Sequence, residues 1–191
     1  MTFPEKQERF TFADYLTWDE DERIEIIDGK FFLMAPPSSR HQEIAAELTR
    51  QFGNYLEGKT CKVYPAPFGV RLFERDGDTP EDIDTMVEPD LSVVCDRSKI
   101  DRHGCKGAPD LVIEILSPST QRHDRLVKLN LYQRAGVREY WIVDPDTQTV
   151  QVMLQDGNGA LQIHEVYTRE GVAKVNVLEG CFIELSKVFS E

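Results

Sequence analysis

Pro109-Asp110-Leu111-Val112-Ile113-Glu114-Ile115-Leu116 is the stretch that decides the fold of this 191-residue chain. The run Leu111–Leu116 is short and apolar at almost every position, which is typical of a strand buried on both faces of a sheet. Glu114 interrupts that run, and an ionised carboxylate is costly to bury unless it is paired or binds a metal. The stretch therefore predicts a central buried strand that carries a functional acid.

The segments around this strand predict an α/β (mixed α+β) domain, with a central mixed β-sheet flanked by helices and extra β-hairpins. A second apolar run, Leu91–Cys95, also follows a Pro-Asp pair. Asp28-Gly29 lies between two β-type segments and indicates a hairpin, because both turn positions need a positive φ. Helices are expected from Ser38 or Ser39 to about Leu56 and over Arg122–Ala135. No linker divides the chain, so residues 1–191 predict one domain.

The charge of the chain restricts its partners. A net charge of −12 argues against a protein that coats nucleic acid without specificity. The distribution is uneven, since the window from Asp96 to Arg138 holds nine basic residues and five acidic ones. This window fits either a phosphate-facing patch or a solvated mixed-charge helix and loop.

The sequence predicts no targeting signal and no membrane span. Residues Met1–Phe12 include four charged residues and no apolar run, and no later stretch is long and apolar enough to cross a bilayer. We therefore expect a cytoplasmic protein without membrane contact. The four cysteines show no CxxC spacing and predict reduced structural thiols; they are Cys61, Cys95, Cys105 and Cys181.

A second acid accompanies Glu114. Asp90 lies at the start of the second apolar run, directly after Pro89. Two carboxylates on adjacent strands form an oxygen-rich site of the kind that Mg²⁺ prefers. Asp110 also follows a proline, but there we expect the acid to cap a turn.

Lys128 is a candidate cation for the same site. It lies on the helix after the Glu114 strand, four residues beyond Asp124. An acid and a lysine at this spacing are commonly a surface ion pair. Alternatively, Lys128 points back at the carboxylates, where it would orient and help deprotonate an attacking water and offset phosphate charge.

Taken together, these motifs resemble the Uma-two family of putative restriction endonucleases, part of the PD-(D/E)XK nuclease superfamily. The resemblance runs from about Phe12 to beyond Val150. The segments that carry it are Ile26–Lys30, Glu88–Leu91, Gly107–Thr120, Asp124, Lys128-Leu129, Tyr132, Arg134–Val137 and Glu139–Pro145.

The resemblance implies a restriction-endonuclease-like fold and a catalytic set of Asp90, Glu114 and Lys128. The superfamily lysine normally stands two residues after the second acid, where this chain has Leu116. The family is expected to place it on the following helix instead, which makes Lys128 the candidate. Mg²⁺ or Mn²⁺ would be held by Asp90, Glu114 and the backbone carbonyl of Ile115. Further residues of the site wall would be His41, Glu47 and Asp124.

The function implied is a metal-dependent endonuclease that hydrolyses DNA phosphodiester bonds. Aromatic residues near Trp141 and Tyr167 offer a surface for a homodimer, which would suit cleavage of both strands. Two alternatives stay open. The displaced lysine and the negative net charge fit a non-catalytic binding or assembly module, and the same acids could serve a hydrolase of smaller phosphate esters.

Overall fold

The computed structural model describes residues 9–18, 23–117 and 121–190, with the backbone alone for residues 121–125. No helix among these residues is long and apolar enough to cross a membrane. The helices and strands, in chain order, are α1 (Phe12–Tyr15), β1 (Ile24–Ile27), β2 (Lys30–Leu33), α2 (Ser39–Leu56), β3 (Lys62–Pro65), β4 (Val70–Arg71), β5 (Leu91–Val94), β6 (Ile100–Asp101), β7 (Gly104–Lys106), β8 (Leu111–Ile115), α3 (Gln121–Ala135), β9 (Glu139–Asp144), β10 (Thr149–Gln155), β11 (Leu161–Thr168), β12 (Val172–Lys174), β13 (Phe182–Glu184) and α4 (Leu185–Val188).

Local turn and cap residues form these elements as the sequence predicts. The β1–β2 hairpin turns at Asp28 and Gly29, whose φ angles are 49° and 77°. Helix α2 begins after Ser38, whose side chain accepts the N–H of His41 as an N-cap. Helix α3 ends before Gly136, which has a φ of 83°. The predicted mixed architecture with extra hairpins is therefore confirmed.

A six-stranded mixed sheet forms the centre of the domain. Its strand order is β11-β10-β9-β8-β5-β3. Only β8 and β9 run parallel, and the other neighbours are antiparallel. Helix α3 supplies the crossover that a parallel pair requires.

Each face of the sheet has its own apolar core. One face packs against α2 and the C-terminal segment through Leu48, Phe52 and Phe189. The other face packs against α3 through Leu131 and Tyr132. Both faces of β8 are therefore covered, which explains why this strand is apolar almost throughout.

The antiparallel pairing of β5 with β8 brings the two predicted acids together. Leu91 faces Ile113 in this pair. The residue before Leu91 is Asp90, so it lies beside Glu114 near the C-terminal end of β8. Helix α3 follows from that same end of the strand.

The prediction of four reduced thiols was wrong for two of them. Cys61 and Cys95 form a disulfide, whereas Cys105 and Cys181 are free and buried. The pair is 34 residues apart in sequence, so no short spacing reveals it. Strand pairing does reveal it: Lys62 faces Val94, which places the two flanking cysteines opposite each other.

Candidate functional site

Glu114 lies in a buried network with Lys128 and Glu25. Lys128 Nζ is 3.0 Å from Glu114 Oε1 and 2.9 Å from Glu25 Oε1. The three residues come from α3, β8 and β1, and each is at most 7% exposed. A single ammonium group thus bridges two carboxylates from different parts of the fold.

The pKa values of Glu114 and Lys128 are both raised, but for different reasons. Burial raises the pKa of Glu114 to about 7. The nearby charge of Lys128 lowers this pKa, whereas the charges of Asp90 and Glu25 raise it. Burial by itself lowers the pKa of Lys128, but the two carboxylates outweigh it and hold that pKa well above its usual value. Lys128 therefore stays protonated near neutral pH, so it can orient and acidify a water but not take its proton.

Tyr132 completes the surroundings of the Glu114 carboxylate. Its hydroxyl donates to the same Oε1 atom at 2.5 Å. Burial raises the pKa of Tyr132 well above its usual value, as do the charges of Glu114 and Glu25. Tyr132 lies four residues after Lys128, so one face of α3 presents both donors to the acid.

Asp90 is fixed by two hydrogen bonds on one carboxylate oxygen. The backbone N–H of Ile115 donates to Asp90 Oδ2 at 2.7 Å, and His41 Nε2 lies 3.1 Å from the same atom. Burial lowers the pKa of His41, but the hydrogen bond and charge of Asp90 outweigh it and raise the pKa above 6.5. His41 of α2 and Ile115 of β8 thus meet at this carboxylate, which lies just before β5.

The acids open onto a cavity of about 450 Å³. Its wall combines the network with the β2–α2 connection; the residues are Arg23, Glu25, Ile27, Phe32–Ser38, His41, Asp90, Glu114, Ile115, Ser117 and Lys128. A second cavity of about 750 Å³ lies alongside and shares Arg23, Pro37, His41 and Asp90 with the first. Concave sites with a few convergent polar groups are the usual form of active sites.

A family model described as Uma2, putative restriction endonuclease, matches residues 12–186. The chain belongs to the Uma2 family. The acids and the lysine of the network all lie within the matched range.

This Uma2 chain is also similar to two other proteins. An uncharacterized protein of Synechocystis sp. (strain ATCC 27184 / PCC 6803 / Kazusa) is 28% identical over 149 residues, which cover 76% of this chain and 74% of the relative. The crystal structure of a putative nuclease of DUF820 from Anabaena variabilis ATCC 29413 superposes with a TM-score of 0.74. That match covers 95% of this chain and 98% of the other at 22% identity, so it shows a shared fold.

The Uma2 chain brings most of the predicted site residues together. Asp90, Glu114, Ile115, Lys128 and His41 all line the smaller cavity. Leu116, where the resemblance to the superfamily leads us to expect a lysine, is a core residue with 4% exposure. The lysine of the following helix reaches the acid in its place.

Two predicted wall residues are not shown at this site. Glu47 lines neither cavity; it binds Arg50 and Gln51 further along α2. Gln51 also donates to the carbonyl of Glu184, so this part of α2 contacts the C-terminal segment. The side chain of Asp124 lies outside the described residues.

The predicted aromatic surface at Trp141 is absent. Trp141 is fully buried, and its indole N–H donates to Glu139 at 2.7 Å. The reason is that β9 is a central strand covered on both faces, so its large apolar residues belong to the cores.

Four of the seven basic residues with described side chains in the window from Asp96 to Arg138 are paired with acids. Arg134 binds Asp28, Lys106 lies near Asp101, and Arg138 binds Asp110. Lys128 is buried in the network. These cations are largely neutralised by neighbouring acids, which favours the mixed-charge interpretation for this part of the window.

Sequence reasoning missed Glu25, Tyr132 and Arg23. Glu25 stands in the run Ile24–Ile27 as an acid among isoleucines, which is the same signal that identified Glu114. Tyr132 could have been found from its position one helical turn after Lys128. Arg23 gives no distinct signal, because a single arginine before a strand is common.

The two acids fit a hard divalent cation. Asp90 Oδ1 and Glu114 Oε2 accept no hydrogen bond from the described residues, whose bonds go to the other oxygen of each group. Mg²⁺ commonly binds through one or two carboxylates and keeps several waters. The described residues contain no cluster of three or more His, Cys, Asp or Glu side chains placed to hold a metal, so a larger all-protein cage is not formed there.

Proposed function

We propose that this chain is a Mg²⁺-dependent endonuclease that hydrolyses phosphodiester bonds in DNA. The observation that carries the proposal is the buried Glu114 carboxylate, paired with Lys128 beside Asp90 at the wall of a cavity. Membership of a family described as restriction endonucleases supports DNA as the substrate.

Surplus negative charge supports a metal at this site. The described network contains four carboxylates and two permanent cations; they are Glu25, Glu88, Asp90, Glu114, Arg23 and Lys128. A divalent cation held by Asp90 and Glu114, with the carbonyl of Ile115 as a further ligand, would offset this surplus. Mg²⁺ or Mn²⁺ bound there supplies Lewis-acid activation of the attacking water and of the phosphoryl oxygen.

The protein side chains have separate roles in this proposal. Lys128, a fixed cation, orients the attacking water and offsets the charge that develops on the phosphate. Tyr132 and Glu25 hold the Glu114 carboxylate and the Lys128 ammonium in place. His41 fixes the orientation of Asp90 through its Nε2 contact.

The test compares two buried glutamates. Mg²⁺ and Mn²⁺ are titrated by calorimetry into the wild type and the Glu114→Gln and Glu139→Gln variants, and the same samples are assayed for plasmid nicking. Glu139 is the matched control, because it is a buried acid on the adjacent strand that lines neither cavity. We expect metal binding and nicking in the wild type and Glu139→Gln, and neither in Glu114→Gln. Unchanged nicking by Glu114→Gln would refute the mechanism.

Two observations favour a second candidate, a non-catalytic binding or assembly module. No cluster of three metal-binding side chains is found among the described residues, and Leu116 replaces the usual lysine. This candidate predicts DNA binding without hydrolysis in either metal. Cleavage that depends on Glu114 would exclude it.

Duplex cleavage also bears on the predicted homodimer. Two active sites related by a two-fold axis suit the two antiparallel strands of DNA. A dimer therefore predicts linear plasmid as an early product, together with a dimeric mass in light scattering. A monomer predicts nicked circles that accumulate before linear DNA appears.

A further inference from the structure

Arg23 lies where the two cavities meet. It lines both of them, as do His41 and Asp90. Its charge reaches the site, because Arg23 acts on His41 to lower the pKa of the imidazole. A ligand that extends from the acids into the larger cavity would therefore lie close to the Arg23 side chain.

The guanidinium of Arg23 is oriented but only partly satisfied. Its Nε donates to Glu88 at 3.1 Å, and Glu88 is itself anchored by its backbone N–H to Glu25 Oε1 at 3.0 Å. The two terminal nitrogens have no acceptor among the described residues, and Nη2 is buried. The side chain is 30% exposed, so an anion can approach it. Arginine with free terminal N–H groups is suited to phosphate oxygens.

The larger cavity has the chemistry of a nucleoside site. Its wall on α2 consists of residues at helical spacing, and the opposite wall is a proline-rich turn; the residues are Gln42, Ala45, Ala46, Thr49, Pro65, Ala66 and Pro67. Small and apolar groups there leave space for a flat ring, and Gln42 offers an amide donor and acceptor. The volume of about 750 Å³ lies within the usual range for pockets that hold small ligands.

Arg50, the other arginine that lines the larger cavity, is already paired with an acid. Arg50 donates to both oxygens of Glu47, at 2.7 and 2.6 Å. It therefore has less capacity for a further anion than Arg23. Arg23, whose terminal N–H groups have no acceptor among the described residues, lies beside the acids, while the far wall of the larger cavity is mostly neutral.

We propose that the larger cavity is a subsite for the nucleotide next to the scissile bond, with Arg23 as the residue that binds its phosphate. This inference rests on the proposed nuclease function and adds a substrate-positioning residue to it. A strand would run from the acids past Arg23, with one nucleoside between α2 and the Pro65–Pro67 turn.

The test measures binding of a fluorescein-labelled, single-stranded octathymidylate by anisotropy in Ca²⁺, over a range of salt concentrations. Hydrolysis is followed separately in Mg²⁺. Arg23→Gln should weaken binding about tenfold, as expected for one charge-assisted hydrogen bond. It should also reduce the slope of log affinity against log salt by about 0.7, the value for one phosphate contact to a single strand.

Two further variants are compared with Arg23→Gln. One tests the contact with the nucleoside, and the other tests whether removal of any partly exposed arginine weakens binding. Ala46→Trp fills the cavity from an exposed helix position, so it should weaken binding without changing the salt slope. Arg40→Gln is the matched control: its side chain is also 30% exposed, but it binds Glu43 and the carbonyl of Ser190 and lines neither cavity. It should bind like the wild type.

The outcomes distinguish this inference from the nuclease proposal. Equal affinity and salt slope for Arg23→Gln and the wild type would overturn the subsite, even if Mg²⁺-dependent cleavage persists. No binding by the wild type would also overturn it. Binding that depends on Arg23 and Ala46, without cleavage under Mg²⁺, would support the subsite and count against the nuclease.

Discussion

Two Pro-Asp pairs introduce neighbouring strands of the sheet, and they have different surroundings. Asp90 precedes β5 and Asp110 precedes β8. Each aspartate accepts a backbone N–H from the residue at the end of the other strand: Ile115 donates to Asp90 and Cys95 to Asp110, both at 2.7 Å. The local hydrogen bond is the same in both places.

Antiparallel pairing makes the difference, because it sends the two aspartates to opposite ends of the strand pair. At one end, Asp90 meets Glu114 and His41 beside a cavity. At the other end, Asp110 meets Arg138, whose side chain is 56% exposed. A short motif thus specifies the strand and its first hydrogen bond, whereas strand order determines which aspartate joins the candidate site.

The largest expected effect is on stability. It distinguishes Lys128, the cation at the Asp90 end of the strand pair, from Arg138, the cation at the Asp110 end. Lys128→Met should lower the free energy of unfolding by about 3–5 kcal/mol at neutral pH, because it leaves Glu25 and Glu114 buried without a counter-charge. Arg138→Met should cost at most about 1 kcal/mol, because an exposed cation contributes little. Urea denaturation of both variants measures the difference. Equal losses would mean that the Asp90 end is no more dependent on its cation than the Asp110 end.

The next prediction separates the two aspartates by activity. Asp90→Asn should lower the rate of metal-dependent cleavage by at least about 100-fold, because loss of even an outer-shell partner of a metal costs 10–100-fold. Asp110→Asn should stay within about twofold of the wild type, because that residue lines neither cavity. Plasmid nicking rates at saturating Mg²⁺ decide the matter. A comparable loss of cleavage in both variants would mean that Asp90 is no more important for activity than Asp110.

Much of the candidate site could be predicted from the sequence. The apolar run around Glu114 and the motif at Asp90 each depend on local chemistry, and the structure brings both acids together with Lys128. Glu25 could not be placed, because its contact with Lys128 joins residues 103 positions apart. The Cys61–Cys95 disulfide was missed for the same kind of reason, since it depends on the pairing of β3 with β5.

An acid within an apolar strand is therefore not sufficient evidence of a functional site. Glu139 begins the apolar strand β9 and is fully buried, as Glu114 nearly is. Its carboxylate accepts the backbone N–H of Val177 and the indole N–H of Trp141, both at 2.7 Å. The bond from Val177 attaches the C-terminal segment to the sheet, whereas the bond from Trp141 lies within β9. Only the surrounding groups distinguish the two glutamates, and those groups are distant in sequence.

Glu139→Gln should therefore affect stability and leave cleavage unchanged. The amide has one acceptor oxygen, so a buried donor from Val177 or Trp141 loses its charged partner, at a cost of about 1.5–3 kcal/mol. Thermal and urea unfolding measure this loss, and nicking rates check the activity. A fall in cleavage that exceeds the loss of folded protein would place Glu139 in the functional network after all.

The smallest predicted effect is the pH dependence that Glu114 imposes on stability in the absence of metal. Burial raises the pKa of Glu114 to about 7, so between its ordinary value of 4.5 and about 7 the folded state binds the proton more tightly than the unfolded state. Stability therefore falls as pH rises through this window, by up to about 1.4 kcal/mol per pH unit for one proton. Between about pH 5.5 and pH 7, Glu114 should contribute a loss of roughly 1–2 kcal/mol.

Glu114→Gln should remove this contribution, because the amide does not titrate. We expect the free energy of unfolding in EDTA to fall less steeply with pH in Glu114→Gln than in the wild type. Asp110 is paired with a partly exposed arginine, whereas ionised Glu114 is buried and is stabilised by Lys128 and Tyr132, and would be stabilised further by a bound cation. Identical slopes for wild type and Glu114→Gln would show that the Asp90 end holds no such unfavourable charge, and the electrostatic case for a cation at that end would fail.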